Sequence, residues 1–382
     1  MKKDLSLYIH IPFCKSKCFY CNFVSKVAND QEKLRYVEAL IKEIKIRAKE
    51  YNSFYTISTI YIGGGTPSCL PKGAIKNILS TIYKNFTVKN TAEITMEMNP
   101  NTISSELVNE YVLSGVNRFS IGFQCMSSDV LKSMGRTHSV IDFENAIKII
   151  RGEGIQNISA DLIIGYPNQT QEDVLCSAKY LESLKIPHIS SYMLSVEKGT
   201  PLEKMIDNGE KFLPNEESVI KTYQSLVNFL SDKGYKRYEI SNFAKPGYEC
   251  KHNNVYWKRG EYLGLGCNSH SLIDQTRFSN TENITEYIEH LETSTTAPVA
   301  EVTKLSIEEE KEEFIMLSLR TNEGLNTAEY EKEFGENFLE IHNKTLVSFV
   351  KDGFLSIDKQ GNVKATSKGF LVLNKIILEL CS

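Results

Sequence analysis

The sequence predicts an α/β protein: a parallel sheet curled into a partial, open TIM-like barrel of six β/α units, followed by a C-terminal winged-helix-like α+β unit. Three observations predict it. Strand-like apolar runs alternate with amphipathic helical stretches six times before residue 235, an order that builds parallel sheets through crossover connections. Six units fall short of the eight that close a TIM barrel. From about residue 301 the order changes to helices, a hairpin and a last helix.

The elements follow in order. Leu5–Ile11 reads as the first strand, and residues 31–50 carry Leu34, Val37, Leu40, Ile41 and Ile44 at helical spacing. Ile57–Ile62 and 73–84 form the second unit, and Glu93–Met98 and 104–113 the third. Asn117–Phe123 is followed by helical stretches at 127–133 and 141–152. Asn157–Ile164 leads to a helix at 171–184, and His188–Leu194 to one at 216–232. Residues 1–234 form the barrel. Residues 235–300, rich in aromatics and glycine, are expected to be a less regular extension. In 301–382, helices at 308–320, 327–334 and 337–351 precede a hairpin, Phe354–Ile357 with Val363–Ala365, and a helix at 367–380. A winged helix usually suggests DNA binding. This one carries 10 Lys and Arg against 15 Asp and Glu, so packing or partner binding is expected instead.

Composition narrows the function. The chain has 382 residues, 44 Lys and Arg against 48 Asp and Glu, and a net charge of −4, which argues against a nucleic-acid-binding surface. No run of about 18 apolar residues exists to span a membrane. Met1-Lys2-Lys3-Asp4 leads straight into a strand, so no signal peptide and a reducing cytoplasm are expected. In such a compartment crowded cysteines read as metal or cluster ligands rather than disulfides. Of nine cysteines, Cys14, Cys18 and Cys21 crowd into eight residues just after the first strand. Three thiolates on a short loop can each hold one corner of a [4Fe–4S] cubane and leave the fourth iron open. Zinc is the alternative, but it usually takes four ligands, and positions 22 and 23 are Asn and Phe.

C-x3-C-x2-C at the end of a first barrel strand resembles the radical S-adenosylmethionine (SAM) superfamily. Its flanks narrow the likeness. Tyr8-Ile9-His10-Ile11-Pro12-Phe13-Cys14, Gly63-Gly64-Gly65-Thr66-Pro67, Glu97-Met98-Asn99-Pro100, Ser120-Ile121-Gly122-Phe123-Gln124, Gly135-Arg136-Thr137-His138 and Asp161–Gly165 are similar to the oxygen-independent coproporphyrinogen III oxidase-like family. The likeness covers nearly the whole chain. Two branches of that family differ. The oxidases carry a fourth cysteine two positions after the third and an extended N-terminal arm. Here that position is Phe23, and 13 residues precede Cys14. The haem-chaperone branch carries H-N-x-x-Y-W, matched by His252-Asn253-Asn254-Val255-Tyr256-Trp257.

The resemblance implies a [4Fe–4S] cluster, SAM and haem as cofactors. Tyr8, Gly64, Gly65, Thr66, Glu97, Gln124, Arg136 and Asp161 become SAM contacts. The glycines would let backbone approach the methionine amino group, Glu97 would bind the ribose diol, and Arg136 would pair with the carboxylate. Taken singly, Glu97, Gln124, Arg136 and Asp161 are more often structural. His252 becomes the axial haem ligand, with Tyr256 and Trp257 lining the porphyrin on a loop free to open and close. A rival zinc site on Cys250, His252, Cys267 and His270 stays open. Cys69, Cys125, Cys176 and Cys381 read as buried thiols. The implied function is a cytoplasmic haem chaperone that passes haem to acceptor proteins, respiratory haem enzymes among them, with a homodimer left open. The alternatives are a coproporphyrinogen III oxidase and a radical SAM methyltransferase-type enzyme.

Overall fold

The computed structural model describes residues 2–382. β1 (Lys3–Ile11) leads through the cysteine loop to α1 (Asp30–Tyr51), and β2 (Tyr55–Gly64) leads to α2 (Ala74–Asn85). β3 (Val88–Met98) leads to α3 (Ser105–Leu113), and β4 (Arg118–Gln124) to α4 (Ser128–Ser133) and α5 (Val140–Gly152). β5 (Ile158–Ile164) leads to α6 (Gln171–Ser183), and β6 (His188–Met193) to α7 (Pro201–Asp207) and α8 (Glu216–Asp232). β1 to β6 pair in parallel in chain order. All six expected units are present; α7 is an addition, opened by Pro201 after a Thr200 cap.

Helix starts follow local chemistry. Asn29 with Glu32, Ser139 with Asp142 and Thr170 with Asp173 form reciprocal capping boxes on α1, α5 and α6, satisfying backbone donors that have no partner inside the helix. The apolar strand faces and the barrel helices then share one core, with Leu7, Ile9, Ile62, Ile121 and Leu162 almost wholly excluded from solvent.

Residues 235–300 are not irregular. They form β7 (Lys236–Arg237), β8 (Asn242–Ala244), α9 (Lys251–Trp257), β9 (Tyr262–Leu265), β10 (His270–Ile273), β11 (Thr276–Asn280) and α10 (Ile284–Thr293), and β12 (Val299–Lys304) follows. The sheet has twelve strands in the order β12-β11-β10-β9-β1-β2-β3-β4-β5-β6-β8-β7. β9 adds a seventh parallel strand beside β1. β7 and β12 lie at opposite edges, so the barrel stays open. The extension is tied to α1 through fully buried Glu43. This carboxylate accepts from the Gly266 amide at 2.8 Å, the Asn280 amide at 2.7 Å and the Tyr287 hydroxyl at 2.6 Å.

A separate core gathers Ile315, Leu319, Phe338, Phe349, Leu373 and Ile376. Its elements are α11 (Ile307–Ser318), α12 (Thr327–Phe334), α13 (Phe338–Ile341), α14 (Asn343–Lys351), β13 (Leu355–Ile357), β14 (Val363–Ala365) and α15 (Leu373–Leu380). The single helix expected over 337–351 breaks at His342, and the last helix begins at Leu373, after a 3-10 turn over Gly369–Val372. Among the described residues no helix is long and apolar enough to cross a membrane.

Candidate functional site

Strands buried on both faces usually read as continuous apolar runs. Here they alternate. Side chains two apart share a face, and the polar set turns inward: Ser6, Tyr8 and His10 on β1, Thr59 and Tyr61 on β2, Glu93, Thr95 and Glu97 on β3. Arg118 and Ser120 on β4, Ser159 and Asp161 on β5, and His188 and Ser190 on β6 continue it. Their mutual bonds mark the lumen. Thr59 Oγ1 donates to Ser6 Oγ at 2.8 Å, Tyr61 OH to Glu97 Oε1 at 2.8 Å, and Ser120 Oγ to Asp161 Oδ1 at 3.2 Å. Ser159 Oγ meets His188 Nδ1 at 2.7 Å.

The cysteine loop crosses the lumen's mouth, where the strands end. Cys14 N donates to the Lys26 carbonyl and Lys26 N to the Pro12 carbonyl, both at 3.0 Å, which closes the loop at its base. Farther out, Phe19 N bonds to the Met134 carbonyl at 3.0 Å and Leu202 N to the Phe19 carbonyl at 2.9 Å. Cys14, Cys18 and Cys21 are half-buried and free. Thr66 Oγ1 lies 3.5 Å from Cys14 Sγ, and Arg136 Nη1 lies 3.4 Å from Cys18 Sγ; both donate to sulfur. Burial raises the Cys21 pKa, against its bond to the Phe23 backbone, and the neighbouring Cys18 and Cys14 add to the rise.

Three thiolates on one short loop would repel one another without a cationic centre to share. Among the described residues no three His, Cys, Asp or Glu side chains converge as a single ion would need. A cubane presents three separate iron corners, so its thiolates surround a space rather than a point. Three thiols, two of them with hydrogen-bond donors on their sulfurs, fit such a cluster.

The other expected SAM contacts lie around this mouth. Glu97 already accepts from Tyr61 and, at 3.1 Å, from the Gly64 amide. Burial lifts its carboxyl to about 7, opposed by the Tyr61 bond and reinforced by Asp161. Burial also raises Asp161, against bonds from Ser190 and Ser120. Arg136 donates to the Gly122 carbonyl at 3.0 Å and to His138 Nδ1 at 3.3 Å. Gln124 ends β4 in the left-handed region, φ 65°, a strained conformation that clusters at functional sites. Tyr8 OH meets His10 Nδ1 at 3.0 Å. The glycines have a reason of their own. A Cβ on Gly64 (φ 106°) would sit 2.5 Å from the His10 ring, and one on Gly65 would sit 2.6 Å from the Phe13 carbonyl.

The expected haem segment differs from its sequence reading. It is helical, not a mobile loop. His252 and Tyr256 are four residues apart and share the inner face, whereas Trp257 turns away. Trp257, Lys251 and Asn254 instead line a cavity of about 1610 Å³ that reaches the C-terminal unit. His252 is 1% exposed. Its Nδ1 meets Thr59 Oγ1 at 2.7 Å and its Nε2 meets Tyr256 OH at 2.8 Å. Burial, aided by the Arg118 charge, lowers its pKa to about 3. The imidazole is neutral, as iron ligation requires, but both nitrogens are occupied.

The rival zinc site is not formed. Cys250 Sγ donates to Glu93 at 3.5 Å. The Cys267 amide donates to Tyr36 OH at 3.0 Å, on the far side of β1. Burial pushes both thiols up to about 12, and among the described residues no such group of ligands converges. Cys69 and Cys125 are buried as expected, but Cys176 and Cys381 are only half-buried. The sequence reading passed over Arg118, Tyr61 and His10, for which the polar phase of the alternating strands was the signal, and His138, which lies in the loop between α4 and α5.

A cysteine loop over the polar mouth of an open β/α barrel defines a radical SAM scaffold, and residues 8–181 match the radical SAM superfamily model. Residues 305–372 match the HemN C-terminal domain. The haem chaperone HemW of Lactococcus lactis is 32% identical, over 98% of this chain and 97% of its own. That of Bacillus subtilis is 32% identical over 97% of each chain. The chain belongs to the HemW haem chaperone family. Its fold is also similar to that of the Escherichia coli coproporphyrinogen III oxidase HemN, with a TM-score of 0.87 and 24% identity, covering 100% of this chain and 91% of that one.

Proposed function

We propose that the chain holds a [4Fe–4S] cluster on Cys14, Cys18 and Cys21, binds SAM beside it, and carries haem to acceptor proteins in the cytoplasm. The observation that supports it best is the set of three half-buried thiols at a polar lumen mouth, with Thr66 donating to Cys14 and Arg136 to Cys18. Bound together, the cluster and SAM supply one-electron chemistry at the sulfonium. Thr66 and Arg136 tune the sulfurs, Tyr8, Glu97, Gln124 and Asp161 face the ligand, and the backbone of Gly64 and Gly65 forms the floor under its amino-acid end. His252 offers haem iron a nitrogen only once its ring is freed from Thr59, across the lumen, or from Tyr256, one turn on along α9. Trp257 offers the porphyrin an aromatic face from the cavity side.

Anaerobic reconstitution tests this reading. About four irons and four sulfides per chain are expected, the content of one cubane. Cys14→Ala, Cys18→Ala or Cys21→Ala should each abolish it, and a full cluster in the triple variant would sink the cluster assignment. Phe23, 59% exposed, stands where an oxidase carries cysteine. Conversion of coproporphyrinogen III to protoporphyrinogen IX above a cluster-free control would overturn the chaperone assignment in favour of the oxidase.

A further inference from the structure

Arg118 is 2% exposed, yet it forms no ion pair or hydrogen bond with any described residue, and its Nε is buried without a partner. It stands on the ladder row that runs Tyr8, Tyr61, Thr95, Arg118. Its nearest acidic neighbours are Cys250 and Glu93, neither bonded to it, and its charge is also felt by Glu97, Asp161, His188 and His252. Each lumen carboxylate is engaged elsewhere. Glu93 accepts from the amides of Lys251 and His252, Glu97 from Tyr61 and Gly64, and Asp161 from Ser120. Arg136 differs, since all three of its nitrogens donate to His138, Cys18 and Gly122. A buried, unpaired guanidinium is costly to keep, and at the centre of a polar lumen it matches an incoming carboxylate.

We propose that Arg118 is the anchor for a ligand carboxylate inside the lumen. The carboxylate is a propionate of a tetrapyrrole, because the amino-acid end of SAM belongs at the mouth beside the cluster; the inference rests on the haem reading proposed above. Arg118→Met and Arg118→Lys, reconstituted anaerobically in the full chain, test it. SAM binding is read by equilibrium dialysis. Haem and haem dimethyl ester, whose propionates are blocked, are read by Soret titration. Arg118→Met should bind haem about tenfold to a hundredfold more weakly, the worth of a charged hydrogen bond, and Arg118→Lys should lose less. Its Tm should equal or exceed that of the wild type, because an unpaired buried charge has gone.

Esterification should weaken wild-type binding by the same factor and leave Arg118→Met indifferent. A change in the SAM dialysis constant alone, with haem binding unmoved, would overturn the proposal. Unchanged constants for both ligands would overturn the proposal, as would a fall in Tm or a failure of Arg118→Met to fold, since either marks a structural cation. Failure of the chaperone reading shows separately, as absent haem binding in the wild-type trace.

Discussion

Gln124 shows how a single residue marks the site. It is 8% exposed and holds φ 65° at the end of β4, a conformation that costs a residue with a Cβ about 1 kcal/mol or more. Gln124→Gly should therefore raise the unfolding free energy by about 1 kcal/mol in denaturant while weakening SAM binding; destabilisation would mean that the amide, not the ligand, pays for the strain. Glu97 predicts a pH effect. Its folded pKa of about 7 exceeds the unfolded value near 4.5, so the native state binds the extra proton between them. Stability from this group is full below about pH 4.5 and is lost as pH rises through 7, by an amount on the order of 3 kcal/mol. Urea melts at pH 5 and pH 8 should show a larger fall for wild type than for Glu97→Gln; equal falls would refute the assignment to Glu97.

Among the elements, α9 separates what was legible from what was not. The long units of the barrel could be read because strands of six or more residues and helices of nine or more carry a clear period. Residues 235–300 hid their order because their strands run from two to five residues, too short for a period to emerge. The six-residue haem motif read as one unit, but helical geometry divides it between two faces. His252→Ala should cost about 2–3 kcal/mol, since it strips a partner from both the Thr59 and Tyr256 hydroxyls. Trp257→Ala, at the cavity wall, should change stability little and weaken haem binding. Equal stability losses in the two variants would show that both side chains pack into the floor.

At the scale of the whole molecule, two cores are joined through α9. Arg259, just after it, donates to Glu333 at 2.6 Å and to Glu310 at 3.1 Å, so the C-terminal unit holds the helix that carries the haem motif. The position of the cysteine loop after β1 was legible, because residue spacing is local. The lumen was legible only in part: its mouth came from motifs, whereas the Arg118 and His252 environments depend on strands distant in sequence. The cluster, SAM and haem meet in one claim, that the chain is a haem carrier on this scaffold. A Soret titration of the anaerobically reconstituted chain with haem tests it most directly. A shifted band saturating at one haem per chain, weakened in His252→Ala and Trp257→Ala with the cluster intact, is the expected result. A spectrum that stays that of free haem at every ratio, with the cluster present, would contradict it.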